Sequence, residues 1–373
     1  MKGMFRHCKC TFIYKVVAPT ITKGTIFPSA PLPDEEHVKL LVVRKTFVSD
    51  SISRVVSCIG AVVELEPDYG FVGSITFQSG KRVLFKDRNF NVNPQGSSEI
   101  ARDKGYTSYF LRTFGYSVPK DITVFTEKFN ESLAIQRTID DGWVFAQSVG
   151  LPVILKPHNL SQGTLISKAH TKREYFVQAR RILKHSSMMV VQEFLQGSDF
   201  RIVVLDHEVI SAYERIPLKV TGDGSLSILD LLHQKQEQFI NNGRDTVLDF
   251  EDPRIAANLK RAKIWFETVL PKGQSLTLLE VANLSTGGDA SDVTHCIHQD
   301  YIDLATSITR DFGLRLCGVD LMCTGPIDQP IQEYGVIEIN SAPGLDNYGS
   351  MGDEQIHRVD ELYLKVLKAL EAS

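Results

Sequence analysis

The stretch Val336-Ile337-Glu338-Ile339-Asn340, within GVIEINSAPG (335–344), sets a carboxylate and a carboxamide two residues apart in an apolar strand. Side chains on a strand alternate between its faces, so Glu338 and Asn340 share one of them. A carboxylate among Val and Ile is costly to bury unless it is paired or bound to a cation, and hard oxygen donors at this spacing suit Mg2+. Asp320, flanked by apolar residues in GVDLM (318–322), can supply a third oxygen from a neighbouring strand. The competing reading is that Glu338 and Asp320 pair with Arg or Lys in ordinary salt bridges, and the local pattern leaves the two level.

Strand and helix signals alternate on either side. Residues 352–371 read as a terminal helix with apolar residues at Ile356, Val359, Leu362, Val366 and Leu370, and GVDLMC (318–323) reads as the strand paired with 334–340. The charged block 226–270 reads as two or three amphipathic helices. FRIVVL (200–205) and EVISAYER (208–215) are strands joined by the tight turn Asp206-His207, and MMVVQEF (188–194), GTLISK (163–168), PVILK (152–156) and ITVF (122–125) continue the strand pattern upstream. Between them a helix opens at Thr171 with Glu174 three residues on, a capping box, and another over 131–149 closes at Gly150. Segment 91–119 reads as one capped amphipathic helix ending at Gly115, with Pro119 as a stop. FVGSITF (71–77) and KRVLFKD (81–87) flank the turn Gln78-Ser79-Gly80, SISRVVSCIGAVV (51–63) has helical spacing, and VKLLVVRKTF (38–47) reads as a strand. The expected chain is α/β (α+β), with a small N-terminal α/β domain over 1–100.

With 373 residues, 43% hydrophobic and 23% charged, the chain has the composition of a globular protein of two or three domains. Forty-one Lys and Arg against forty-five Asp and Glu leave a net charge of −4, no surplus with which to neutralise a nucleic-acid backbone. The most apolar stretch, Trp143 to Leu155, is interrupted by Gln147, Ser148, Gly150 and Pro152, too short for a membrane span, and Lys9 and Lys15 leave no apolar signal region. Six scattered cysteines (Cys8, Cys10, Cys58, Cys296, Cys317 and Cys323) suit reduced thiols and a cytoplasmic location. Cys8 and Cys10 beside His7 lack a second ligand pair and read as surface thiols.

Lys156 ends an apolar strand and precedes a polar loop, 157–163, whose Ser161, Gln162 and Gly163 can offer hydroxyl and backbone N–H donors to phosphate oxygens. Taken singly, Lys156 reads as a snorkelling surface residue and Lys104 and Arg201 as solvated charges. Neither a GxxxxGK[ST] loop nor a GxGxxG turn after a strand is present, which argues against the P-loop and dinucleotide-binding classes.

The order of these pieces, with GSDFRIVVLDHEVISAYERIPLKVTGDG (197–224), ANLSTGG (282–288) and GVIEINSAPG (335–344), resembles the ATP-grasp superfamily over about residues 97–350. Within it the chain is most similar to the ATP-grasp domain of cyanophycin synthetase, with relatives among bacterial glutathione synthetases and the ligases that add glutamate to a ribosomal protein. The resemblance implies an ATP-grasp fold, two sheet-containing subdomains clasping ATP, with 101–195 as the central, lid-bearing subdomain and 196–373 as the C-terminal one holding the metal and substrate site. It implies ATP and Mg2+ as cofactors, two ions, with Mn2+ as a substitute. By matching position, Lys104 and Lys156 hold the α- and β-phosphates, and Ser161, Gln162 and Gly163 fold over the β- and γ-phosphates. Gln192 takes the exocyclic amine of adenine, the backbone edge of Glu193, Phe194 and Leu195 reads the base, and Asp199 meets the ribose. Arg201 and Arg215 face the transferred phosphoryl group, and Asp320, Glu338 and Asn340 are the magnesium ligands. Asn283, Ser285, Thr286 and Gly287 lie where related ligases contact substrate or position the acyl group. Leu279 stands where close relatives carry a basic residue and Val281 where they carry Asn, so the cyanophycin reaction itself is not expected.

What the resemblance implies is an ATP-dependent carboxylate–amine ligase that forms an amide between amino-acid-like substrates through an acyl phosphate. A ligase acting on a protein or peptide tail is a variant of this reading. An ATP-grasp phosphotransferase and a nucleotide-binding module without turnover are the other classes. The expected partners are amino acids or short peptides, with no nucleic acid and no membrane, in a homo-oligomer.

Overall fold

The computed structural model describes residues 46–134, 136–158, 165–242, 244 and 246–372. Helix α1 (Phe47–Val55) starts at Thr46, whose hydroxyl accepts the Ser49 N–H at 3.2 Å. The strand expected over 38–47 lies outside the described residues up to position 45, and Phe47 already belongs to α1. Strands β1 (Val62–Leu65), β2 (Val72–Thr76) and β3 (Arg82–Lys86) form an antiparallel meander, with the expected turn between β2 and β3. The single helix expected over 91–119 is two: α2 (Gln95–Arg102) and α3 (Lys104–Thr113). Asp103 breaks them, extended at φ −99° and ψ 111°, and caps α3 by accepting the Tyr106 N–H at 2.8 Å. Lys104 thereby becomes the first residue of a helix.

The next lobe contains β4 (Asp121–Phe125), α4 (Glu127–Asn130), α5 (Ile139–Val149), β5 (Val153–Pro157), β6 (Ser167–Ala169), α6 (Lys172–Leu183) and β7 (Met188–Glu193). Its sheet runs β4-β7-β5-β6, antiparallel throughout. Val124, Val153, Leu155 and Val191 from the sheet meet Ala146 of α5 and Tyr175, Ala179 and Ile182 of α6, all fully buried. Thr171 caps α6 as expected, while the Glu174 carboxylate accepts the His170 N–H at 2.8 Å.

The C-terminal lobe opens with the hairpin β8 (Ser198–Leu205) and β9 (Glu208–Ile216). Asp206 and His207 turn it at φ 47° and 71°, the left-handed pair a two-residue hairpin turn requires. An insert follows, made of β10 (Lys219–Thr221), α7 (Ile228–Asn241), α8 (Pro253–Ala262) and β11 (Ser275–Thr277), with its own core around Leu232, Phe239 and Leu259. Then come β12 (Asp289–Asp292), α9 (Gln299–Asp311), β13 (Leu316–Cys323), β14 (Tyr334–Asn340), α10 (Asp346–Gly349) and α11 (Asp353–Ala372). The five-stranded sheet is antiparallel in the order β12-β9-β8-β13-β14.

One face of this sheet, with Phe200, Ile202, Val319, Leu321 and Ile339, packs on Tyr301, Ala305 and Ile308 of α9 and on Ala101 and Leu111 of α2 and α3. Ala101 and Leu111, expected with the lid-bearing subdomain, thus pack in the C-terminal sheet's core, while Ser108 and Arg112 of α3 bond Asp121 of β4. The other face is apolar only at one end, where Val203, Leu205 and Tyr213 join Ile52, Ile75 and Phe85 of the N-terminal segment and Leu362, Tyr363 and Val366 of α11. Residues 46–92 therefore share a core with the last helix instead of enclosing one. The rest of that face is polar. No helix among the described residues is long and apolar enough to cross a membrane. Cys58 and Cys296 are exposed thiols, Cys317 and Cys323 buried ones, and His7, Cys8 and Cys10 lie outside the described residues.

Candidate active site

The polar face of the five-stranded sheet and the end of the four-stranded sheet border an open cleft of about 720 Å³. Strand register explains what lines it. Arg201 of β8, Asp320 of β13 and Glu338 of β14 sit directly opposite one another in one row, and Asp199 and Arg215 are opposite in the next. Because residues two apart share a face, Asp199, Arg201, Arg215, Asp320, Glu338 and Asn340 all point into the cavity.

Asp320 has no exposed surface. Arg201 Nε and Nη2 donate to its two oxygens, both at 2.7 Å, and Arg215 Nη1 lies 2.9 Å from Oδ2. Arg215 also donates from Nε and Nη2 to Asp199 Oδ1 at 3.0 and 2.6 Å. Burial alone would raise the Asp320 carboxyl, but the two guanidiniums more than offset it and hold it below the usual carboxylate range. For Asp199 burial prevails and lifts the carboxyl to about 6, against the pull of Arg215. Burial works against the charge on Arg215, and Asp199 and Asp320 more than restore it.

Lys104 and Lys156 enter from different lobes. Lys104 Nζ is 3.7 Å from Glu338 Oε2, and Lys156 Nζ donates to Gln192 Oε1 at 3.0 Å. Gln192 is opposite Ile154 across β5 and β7, which places it diagonal to Lys156 on one face. Burial brings the Lys156 ammonium down to about 8, with Glu338 opposing the shift and Lys104 adding to it. Glu193, Phe194 and Leu195 line the cavity beside Gln192. The Glu193 N–H is already donated to the Lys120 carbonyl at 2.8 Å. Lys168 Nζ stands 3.7 Å over the Phe194 ring.

The salt-bridge reading of Asp320 describes its present partners, and the question is whether a cation fits as well. Among the described residues no three His, Cys, Asp or Glu side chains converge as a metal site. The oxygen set here is two carboxylates and one carboxamide. A carboxylate offers about four lone-pair directions, and the arginines take three at Asp320. Asn340 Nδ2 is buried without a hydrogen-bond partner, but an amide N–H donates and cannot ligate a cation, so Asn340 can contribute only its carbonyl oxygen. The Glu338 carboxylate, the Asn340 carbonyl oxygen and the remaining direction of Asp320 are hard oxygen donors of the kind a divalent cation takes.

Asn283 and Ser285 line the cavity, and Asn283 Oδ1 accepts the Ser285 N–H at 2.8 Å. Thr286 and Gly287 do not reach it, which corrects the substrate role expected of them. Gly287, at φ 97°, stands where a Cβ would strike Leu248, so this part of the loop turns to the insert's core. Thr286 Oγ1 donates to the Asn283 carbonyl at 3.2 Å and shapes the loop instead. Arg244 fixes it from behind, donating to the Leu284 and Gly288 carbonyls. Ser161, Gln162 and Gly163 lie outside the described residues.

Three features escaped the sequence. Arg88, beside Asp87 at 3.0 Å, lines the cavity from the N-terminal segment. Glu280 joins the lobes by ion pairs. His158 pairs with Asp103 next to Lys104. Only Asp103 had a local signal, as a residue suited to cap a helix.

The family model described as a RimK-like ATP-grasp domain matches residues 128–223. Cyanophycin synthetase of Synechocystis sp. is 31% identical over 261 residues, 66% of this chain and 28% of that protein. The bifunctional glutathione biosynthesis protein GshAB of Mannheimia succiniciproducens is 28% identical over 258 residues, 65% of this chain and 32% of its own length. The chain thus spans about three tenths of the curated relatives it matches. The crystal structure of a bifunctional glutathione synthetase from Pasteurella multocida covers 87% of this chain and 44% of its own at a TM-score of 0.56 and 20% identity, which establishes the shared fold.

Proposed function

We propose that this chain, which carries a RimK-like ATP-grasp domain, is an ATP-dependent carboxylate–amine ligase joining amino-acid-like substrates through an acyl phosphate. The observation that carries the reading is the network Asp199, Arg215, Asp320 and Arg201 on the same sheet face as Glu338 and Asn340, in a cavity that Lys156 enters from the other lobe.

A carboxylate is a poor electrophile, so its oxygen first attacks the γ-phosphorus of ATP. The bond from that phosphorus to the β–γ bridging oxygen breaks, ADP leaves with the electron pair, and the substrate becomes an acyl phosphate. Lys104 and Lys156 act as point charges on the phosphates from opposite sides. Arg201 and Arg215 present planar forks of donors to the transferred group, and Asp199 and Asp320 fix the planes of those forks in advance. A divalent cation on Glu338, Asn340 and Asp320 would neutralise phosphate oxygens during this crowding of charge. The amine then attacks the acyl carbon, the bond from carbon to the phosphate oxygen breaks, phosphate departs, and the nitrogen sheds its proton. The cleft between the two lobes limits the access of water to the acyl phosphate. Free amino acids or short peptides are the proposed substrates.

Hydroxylamine tests the reaction class. With the twenty amino acids as a carboxylate pool, ATP consumption should depend on the pool, and hydroxylamine should trap a hydroxamate. Carboxylate-independent turnover, or a phosphorylated product stable to added amine, would reject the ligase and leave the fold untouched.

A further inference from the structure

His158 is 5% exposed and belongs to none of the apolar cores. It lies two residues after Lys156, at the bend that follows β5. Its N–H donates to the Met188 carbonyl at 3.3 Å, tying it to the four-stranded sheet. Its Nε2 is 3.0 Å from Asp103 Oδ1, on the other lobe, and the same oxygen caps α3 through the Tyr106 N–H. A Cβ at Gly105 would come within 2.8 Å of the imidazole nitrogen, so the ring lies against the first turn of α3 where only glycine leaves room. Burial pushes the imidazole below its usual pKa, which leaves it neutral at pH 7 with one N–H to give Asp103. Lys104 is the residue after Asp103.

A buried histidine is most often a satisfied structural group, but this one joins two lobes at the two residues that neighbour the cavity's lysines. We infer that the His158–Asp103 pair is the positioning contact that sets the spacing of Lys104 and Lys156, and with it the fit of the phosphate site to a nucleoside triphosphate. The inference rests on the ATP site of the proposed ligase. His158 and Asp103 touch no phosphate themselves. They act by holding the start of α3 against the end of β5, and a shift of an ångström there would separate two charges meant for one polyphosphate.

Calorimetry of Mg2+ and the non-hydrolysable analogue AMP-PNP on the full chain provides the test. His158→Ala and Asp103→Ser should each weaken binding roughly tenfold, the latter with a hydroxyl still able to cap α3 but too short to reach His158. In a Lys104→Met background the loss from either change should shrink to about twofold or less, because the contact then has no second charge to place. Unchanged affinity in the single variants would overturn the inference, and so would a full tenfold loss that persists without Lys104, since that is what a merely structural role would give. If His158→Ala fails to fold, Asp103→Ser carries the same cycle. Failure of the wild-type chain to bind AMP-PNP would reject the nucleotide site and this inference with it.

Discussion

Lys156 is held in a buried position where its charge is only just favoured. Its ammonium titrates near 8 in the folded chain, against about 10.4 for a free lysine. Between those values the unfolded chain binds the extra proton, so stability should rise with pH across this window, and below 8 the buried charge is a cost. Lys156→Met removes it, and the nucleotide-free variant should melt no lower than wild type at pH 7 while binding AMP-PNP at least tenfold more weakly. Phosphate beside the ammonium favours its charged form, so at pH 8.5 nucleotide binding should take up protons, seen as a dependence of the calorimetric heat on buffer ionisation enthalpy. A lower melting point in Lys156→Met, or no proton uptake, would return Lys156 to a structural role. At this scale the sequence was informative where the cause is local. Alternation along one strand put Glu338 and Asn340 together, and they do line one cavity. The bond from Arg201 to Asp320 depends on register between strands 119 residues apart, which no local pattern encodes.

The hairpin of β8 and β9 is the element that brings Arg201 and Arg215 to one carboxylate. Its turn was readable because Asp206 and His207 sit between two apolar strands, and both adopt the left-handed conformation that such a turn demands. Arg215→Ala should lower kcat by about two orders of magnitude and change the KM for ATP by no more than a few fold, because the charge it meets develops in the transition state. Steady-state kinetics with a trapped hydroxamate as product would measure both, and a rise in KM with kcat unchanged would make Arg215 a ground-state binding residue. Segment 91–119 was harder to read. Its composition supports one helix, and the break at Asp103 becomes decisive only when α2 and α3 pack on β14 and turn Lys104 to the cavity.

Across the whole molecule, the lobes meet through ion pairs as well as through the cavity. Glu280, on the C-terminal lobe, is 3.3 Å from Lys168 and 3.0 Å from His170 on the β6 side, and Arg261 holds it at 3.0 Å from its own lobe. Burial would raise the Glu280 carboxyl, but these partners hold it below its ordinary range. Glu280→Gln should speed amide exchange in β6 and at His170 by about tenfold, leaving the central strands β8 and β13 protected, because the lobes open without unfolding. Unchanged exchange in β6 would show that the tie is incidental. Such long-range ties were not legible, and neither was the core that residues 46–92 share with α11, since both join segments far apart in sequence. The alternation of strands and helices was legible, and the division into two sheet-containing subdomains came from the resemblance.

The central claim, that a carboxylate is activated as an acyl phosphate in this cavity, has a direct isotopic signature. When the acyl phosphate is cleaved between carbon and oxygen, the bridging oxygen leaves with phosphorus, so an oxygen of the substrate carboxylate ends in the released phosphate. With an amino-acid pool labelled with 18O in its carboxyl groups, mass spectrometry of the phosphate formed during amide synthesis should find one labelled oxygen per phosphate, corrected for the enrichment of the pool. Phosphate carrying no label while amide is formed would contradict the acyl phosphate, and with it the roles given to Arg201 and Arg215.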